Sequence, residues 1–268
     1  MKLYSRDYTI LTEEESEAWE AIQAQEAVDH LGRHGIRKPL FRKYPKAARH
    51  FSSLFPNNYL DVIELQHKEV LAPIAADFRK LIESSGTIER DILAFIKTRH
   101  AHFVVGGLLK AYYPFGHHDA FLFPEFQLGN SLTADYLLVG LSSDGWHLLL
   151  VEFEGLYGKI TLKDGALGEV FRKGLSQTSA WNSWLQAHYP ALEETFNKHL
   201  KAGEVIPAEL RILDMSRIHY VVVAGRRSDF GELTYRIRRK KQKESAELLL
   251  HYDNLADGAE NVIGEATY

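Results

Sequence analysis

The sequence predicts an α/β protein: a mixed central sheet flanked by helices, behind a mainly helical N-terminal region. Three observations carry this. Up to about His100 the apolar residues recur at helical spacing. Beyond it they gather in short β-rich runs bounded by turn residues. Those runs come first as successive strands and then alternate with helical stretches, the order that gives a mixed sheet.

The elements follow in chain order. The stretch from Thr12 to Asp29 is rich in acids, and Thr12 with Glu15 three residues on reads as a capping box. Trp19, Ile22, Ala27, Val28 and Leu31 form its apolar side, and Gly32 and Gly35 stop it. Arg37, Lys38, Arg42, Lys43, Lys46 and Arg49 then form a basic block without an acid, either a solvated face or a phosphate contact. Leu60 to Ile82 reads as helical, with Pro73 as a point of interruption. Ser84-Ser85-Gly86 is a break, and it sets a boundary between residues 1–84 and 85–268. Thr87 caps the next helix, whose apolar side is Ile88, Ile92, Leu93, Phe95 and Ile96. The expected strands are Ala120–Phe126, Ala134–Leu141, Trp146–Glu154, His219–Ala224 and Glu247–His251. Helices are expected at Leu167–His188 and Ala191–Ala202, and again from Phe230 to Lys243.

Composition narrows the function classes. At 268 residues, 45% hydrophobic and 25% charged, the chain suits one large domain, or one with a smaller appendage. It holds no cysteine, which excludes disulfide scaffolds, thiolate zinc sites and cysteine nucleophiles. No apolar run approaches the ~20 residues of a membrane span, and the first residues lack an apolar signal core. A cytoplasmic protein with no membrane partner is expected. The net charge of −4 carries no global signature of a nucleic-acid partner, although a sum conceals local patches.

One hairpin holds the chemistry. Residues 134–141 and 146–154 are apolar runs separated by Ser142-Ser143-Asp144-Gly145, a polar turn ending in glycine. If those four residues form the loop, Leu141 pairs with Trp146 and Asp135 falls opposite Glu152. If Asp144-Gly145 is a two-residue turn, Asp135 faces Glu154. Either register places the acids on one face with Leu137, Val139, Leu148 and Leu150, because strand side chains alternate. Opposed Cβ atoms lie roughly 5 Å apart. Carboxylates crowded at the end of an apolar hairpin repel one another and resist leaving water. A divalent cation offsets this most simply, since Mg²⁺ takes a few carboxylates plus water and phosphate oxygens. The alternative is a hairpin that ends at the solvent edge, with Glu152 and Glu154 as ordinary exposed acids.

The surroundings give these acids a family likeness. Asp135 opens one strand and Glu152-Phe153-Glu154 closes the next. Glu125 precedes them in Phe123-Pro124-Glu125-Phe126, and a helix bearing Gln177, Trp181 and Trp184 follows. Then come Tyr220-Val221-Val222-Val223-Ala224-Gly225-Arg226-Arg227, a basic helix and Leu248-Leu249-Leu250-His251-Tyr252-Asp253. This ordered series, from about Thr87 to the C-terminus, resembles the nuclease domain of the Shedu anti-phage defence family, within the PD-(D/E)xK superfamily.

The resemblance implies a restriction-endonuclease-like fold and a Mg²⁺-dependent DNA endonuclease in phage defence, with Mn²⁺ as an alternative ion. It implies a homo-oligomer and a phage-derived trigger, with a sensing role for the N-terminal region. Asp135, Glu152 and the backbone carbonyl of Phe153 would be the metal ligands. The family pattern usually has lysine where this chain has Glu154. A lysine there orients the attacking water and stabilises developing negative charge. Glutamate binds a second metal or acts as a base instead, and Lys159 is placed to reach back from the following loop. Gln177 matches a polar helix residue that faces the metal, while Trp181 and Trp184 read as core packing. Arg226, Arg227, Arg236, Arg238, Arg239 and Lys240, continued by Lys241 and Lys243, form a basic stripe that suits phosphates, a solubilising face or an oligomer contact. The rival reading is a catalytically inactive member that binds nucleic acid or a phage protein as a sensor or scaffold. The glutamate at 154 keeps that rival open.

Overall fold

The structure, a computed structural model, describes residues 2–29 (side chains through 22), 44–163 and 165–268. The expected helix stop at Gly32 and Gly35 lies outside these residues, as do the basic residues Arg37 to Lys43.

Helix α1 (Glu13–Asp29) opens on the capping box read from sequence. The Thr12 N–H donates to Glu15 Oε2 at 2.9 Å, and the Glu15 N–H donates to Thr12 Oγ1 at 3.3 Å. After α2 (Pro45–Ser52), the chain does not become helical at Leu60. The Leu60 N–H donates to the Ala120 carbonyl and the Leu122 N–H to the Asn58 carbonyl, so this segment lies along the edge of the sheet and covers it. Helix α3 (Lys68–Glu83) starts later and runs through Pro73 unbroken. Thr87 is not the cap of α4 (Glu89–Thr98). Its hydroxyl donates to the Leu81 carbonyl at the end of α3, and Asp91 accepts the Ile88 N–H in its place. Helix α5 (His102–Tyr112) was not expected from sequence. Its residues from His102 to Leu109 are all buried, so it has no polar face to reveal a 3.6-residue period.

Five strands follow the expected positions closely: β1 (Asp119–Leu128), β2 (Leu132–Ser142), β3 (Gly145–Phe153), β4 (Ile218–Val223) and β5 (Glu247–Leu250). They form one mixed sheet in the order β1-β2-β3-β4-β5. The first three are antiparallel, and β4 and β5 join in parallel. Helices α6 (Glu169–His188), α7 (Leu192–Asn197) and α8 (Ala208–Arg211) lie in the β3–β4 crossover. Helix α9 (Glu232–Ser245) makes the β4–β5 crossover, and α10 (Tyr252–Val262) ends the fold. His251, expected as the last strand residue, is instead the N-cap of α10.

Both faces of the sheet are covered, which explains why β3 reads as an almost continuous apolar run. One face packs Leu138, Leu149, Val151, Val221 and Val223 against α3, α4, α5 and α10. The same core takes Leu3, Leu60, Phe78 and Ile82, so residues on either side of position 84 share it. The other face packs Leu137, Val139, Leu148 and Leu150 against Trp181 and Leu185 of α6 and Phe196 of α7. Among the described residues no single helix is long and apolar enough to cross a membrane.

The β2–β3 turn fixes the register. Ser142 pairs with Gly145 and Leu141 with Trp146, leaving Ser143-Asp144 as the turn. Gly145, at φ +101°, supplies a backbone shape that L side chains resist. This is the alignment that sets Asp135 against Glu152.

Candidate active site

Strand β2 stays paired with β1 down to Leu132, but its last partnership with β3 is Tyr136 with Val151. One step further β2 leaves β3, and at that fork Asp135 and Glu152 face each other. Asp135 Oδ2 accepts the Phe153 N–H at 2.7 Å, replacing the backbone partner that β3 has lost. By alternation Asp135 lies on the α6 side with Leu137 and Val139, and Glu152 and Glu154 lie there with Leu148 and Leu150.

The carboxylates are largely withdrawn from water. Glu152 is 7% exposed and Glu154 2% exposed, while Asp135 is half-buried. The expectation of ordinary exposed acids at the solvent edge does not hold. Burial, then the neighbouring Asp135 and Glu154 charges, push the Glu152 carboxyl up to about 9. Burial is also the main cause that raises Asp135 to about 6, against the pull of the Phe153 N–H. Burial raises Glu154 as well, opposed by Lys173. Glu89, the first residue of α4, adds negative charge to all three.

Lys173 answers them with positive charge. Lys173 Nζ of α6 lies 2.7 Å from Glu154 Oε2, with the lysine side chain 60% exposed. The other oxygen, Glu154 Oε1, is buried without a hydrogen-bond partner. The Glu154 backbone is held firmly: its N–H donates to the Val223 carbonyl and its carbonyl accepts from the buried Tyr252 hydroxyl at 2.7 Å. Helix α6 reaches the site because Gly174 has no side chain. A Cβ there would stand 2.4 Å from Val222 Cγ1 and 3.2 Å from Glu154 Cγ.

The fork therefore gathers Asp135, Glu152, Glu154 and the Phe153 backbone. Gln177 sits half-buried one turn beyond Lys173 on the same stripe of α6. Trp181 is fully buried and Trp184 packs beside it, as core residues. Lys159 is exposed in the loop after β3, and it is Lys173 that pairs with Glu154. The sequence reading missed Lys173, although its place four residues before Gln177 was a usable signal. Glu89 gave none.

The basic stripe divides. Arg226 stands at the site's end of β4, but its guanidinium makes a two-pronged pair with Asp253, at 3.1 and 2.8 Å, and donates to the Ile82 carbonyl. Arg227 pairs with Asp257, and its N–H donates to Asp253 at 2.7 Å. Both side chains are engaged within the protein: they tie β4 to α10, and Arg226 ties both to α3. Arg238 lies over the Tyr112 ring, Lys240 pairs with Glu244 and Lys241 with Glu247. Arg236, Arg239 and Lys243 are exposed on α9. This helix starts after the C-terminal end of β4 and runs back about 20 Å over its 14 residues. Lys241 and Lys243 accordingly line a cavity with Ile218 and Glu247, the first residues of β4 and β5. The second half of α9 is thus at the far end of the sheet from Glu152 and Glu154.

Among the described residues, no three His, Asp or Glu side chains converge as a preformed cation cage. Mg²⁺ does not need one, because it is held by one or two carboxylates with water and substrate phosphates. Two carboxyl groups pushed toward their neutral forms and a buried, unpartnered Glu154 oxygen fit that donor set. No protein-family model matches this chain, and no curated protein matches it.

Proposed function

We propose that this protein is a metal-dependent DNA endonuclease with a restriction-endonuclease-like core, serving the anti-phage role that its Shedu likeness implies. One observation carries the reading. Asp135, Glu152 and Glu154 are drawn out of water at the fork of β2 and β3, with Lys173 paired to Glu154. Such an arrangement is costly for stability and has a ready purpose in binding a cation and a phosphodiester.

Asp135, Glu152 and the Phe153 carbonyl would hold the ion. When bound, Mg²⁺ or Mn²⁺ supplies Lewis-acid polarisation of the phosphate and lowers the pKa of a water. The chain's own groups do the rest. The Phe153 N–H fixes the Asp135 carboxylate in one orientation. Glu154 has a raised pKa and a free oxygen, so it is suited to take a proton from the attacking water. Lys173, anchored by Glu154, brings positive charge to the developing phosphate charge. Gln177 supplies an amide able to hold a water or a phosphate oxygen.

The test is incubation of the purified protein with supercoiled DNA in Mg²⁺, Mn²⁺ or EDTA. Nicking or linearisation is expected with either ion, none in EDTA, and none in Asp135→Ala or Glu152→Ala. Intact DNA with every divalent ion would overturn the nuclease reading in favour of the non-catalytic sensor.

A further inference from the structure

A cleft of about 500 Å³ opens between the N-terminal segment, α4 and the β1–β2 hairpin, and Asp135 and Glu125 line it. Helix α4 turns one complete face toward it: Arg90, Leu93, Ala94 and Lys97. Arg90 and Lys97 are exposed, two helical turns and about 10 Å apart. No described carboxylate lies within ion-pair distance of either, whereas Arg49, Arg79, Arg226 and Arg227 are all paired. Lys2 adds a third cation to the lining, itself paired with Asp7, and His100 adds an imidazole. Arg90 also lines a second cavity of about 400 Å³ with Glu89 and Gly155, the residue after Glu154. Arg90 thus lines both openings, one with Asp135 and the other with Gly155. Leu3, Tyr4, Pro124 and Tyr136 give the cleft an apolar wall suited to sugar and base surfaces.

We infer that this cleft, with Arg90 and Lys97 as its phosphate contacts, seats the nucleic-acid backbone, and that the stripe on α9 does not. The inference rests on the nuclease reading and adds where the substrate lies. Unpaired cations release counterions on contact with phosphates, while α9 carries Lys241 and Lys243 to the distant end of the sheet. Cations that share a cleft with Asp135 also reconcile the acidic site with a polyanionic substrate.

The experiment measures binding of fluorescein-labelled duplex DNA, and of the same single strand, across a salt series with Ca²⁺ in place of Mg²⁺. Plasmid cleavage with Mg²⁺ is scored on the same preparations. Arg90→Ala/Lys97→Ala is expected to weaken binding about tenfold or more. It is expected to reduce the magnitude of the log–log salt slope by about 1.8 for duplex and about 1.4 for single strand. The arm that shows the larger fold-loss of affinity identifies which form of the backbone the cleft takes. Unchanged binding in that variant, or a loss confined to Arg239→Ala/Lys243→Ala, overturns the inference while plasmid cleavage keeps the nuclease reading. A parent protein that neither binds nor cleaves overturns both. Binding with the expected slope loss but no cleavage keeps the cleft and overturns the nuclease.

Discussion

Lys173 and Glu154 show how one residue's role is reassigned by a neighbour. Glu154 brings negative charge to the end of β3, and the ammonium of Lys173 answers it from α6 at 2.7 Å. The exposed Lys159 has no such partner among the described carboxylates. Lys173→Met is therefore expected to lower DNA cleavage by about 10²-fold, the scale of losing one aligned charge stabiliser. Lys159→Met should stay within a few-fold of the parent. Single-turnover cleavage of a labelled duplex checks both, and equal losses in the two variants would refute the assignment. Glu125 is a second residue of interest. It holds φ at +51° in β1, between the Pro124–Tyr136 and Phe126–Ala134 pairs. A non-glycine residue in that region is uncommon, and this one lines the cleft beside Asp135.

At the scale of elements, the Arg226–Asp253 pair joins three of them. It fastens the end of β4 to the start of α10, and through the Ile82 carbonyl to the last turn of α3. The pair is largely buried, and Arg226 holds the Asp253 carboxyl down at about 2 despite burial. Removing the charge leaves a guanidinium without its partner. Asp253→Asn should cost about 2–3 kcal/mol, measured as a lower denaturation midpoint with an unchanged slope. The clamp gives the basic residue directly after β4 a partner that local sequence does not reveal. Its acid lies 27 residues later in sequence and meets it only when α10 docks.

At the scale of the whole molecule, the acids at the fork tie stability to pH. Glu152 moves from its ordinary 4.5 to about 9 on folding, and Asp135 from 3.8 to about 6. A raised carboxyl binds its proton more tightly folded than unfolded. Its stabilising effect is full below the unfolded pKa and is lost as pH rises through the folded one. Between about pH 5 and pH 9 the metal-free protein should therefore lose stability, at roughly 2–4 °C of Tm per kcal/mol. Glu152→Gln should flatten that decline and melt higher than the parent at alkaline pH. Mn²⁺ should raise the parent's Tm more at pH 8 than at pH 6, because the ion competes with protons for the carboxylates. Melts in EDTA and in Mn²⁺ across this range provide the check. A Glu152→Gln profile that tracks the parent's would remove Glu152 as the source.

The five strands, a hairpin between β2 and β3 and the gathering of its acids on one face were readable from the chain; which of two registers it takes, with Ser143-Asp144 as the turn, was decided by the structure. Their signals are local: period-two alternation, a glycine-ended turn, and a register that a single turn propagates along two strands. Helix α5 escaped because burial on every side erases periodicity, and the residues before Lys68 were misread because a sheet edge claimed their backbone. Which cations meet the acids belonged to tertiary structure alone. Lys173 reaches Glu154 across a helix–sheet contact made possible by Gly174, Arg226 pairs with Asp253, and Arg90 and Lys97 face the cleft while Ile92 and Ile96 anchor α4 in the core. Charge pairing depends on distances through space, and spacing along the chain does not encode them.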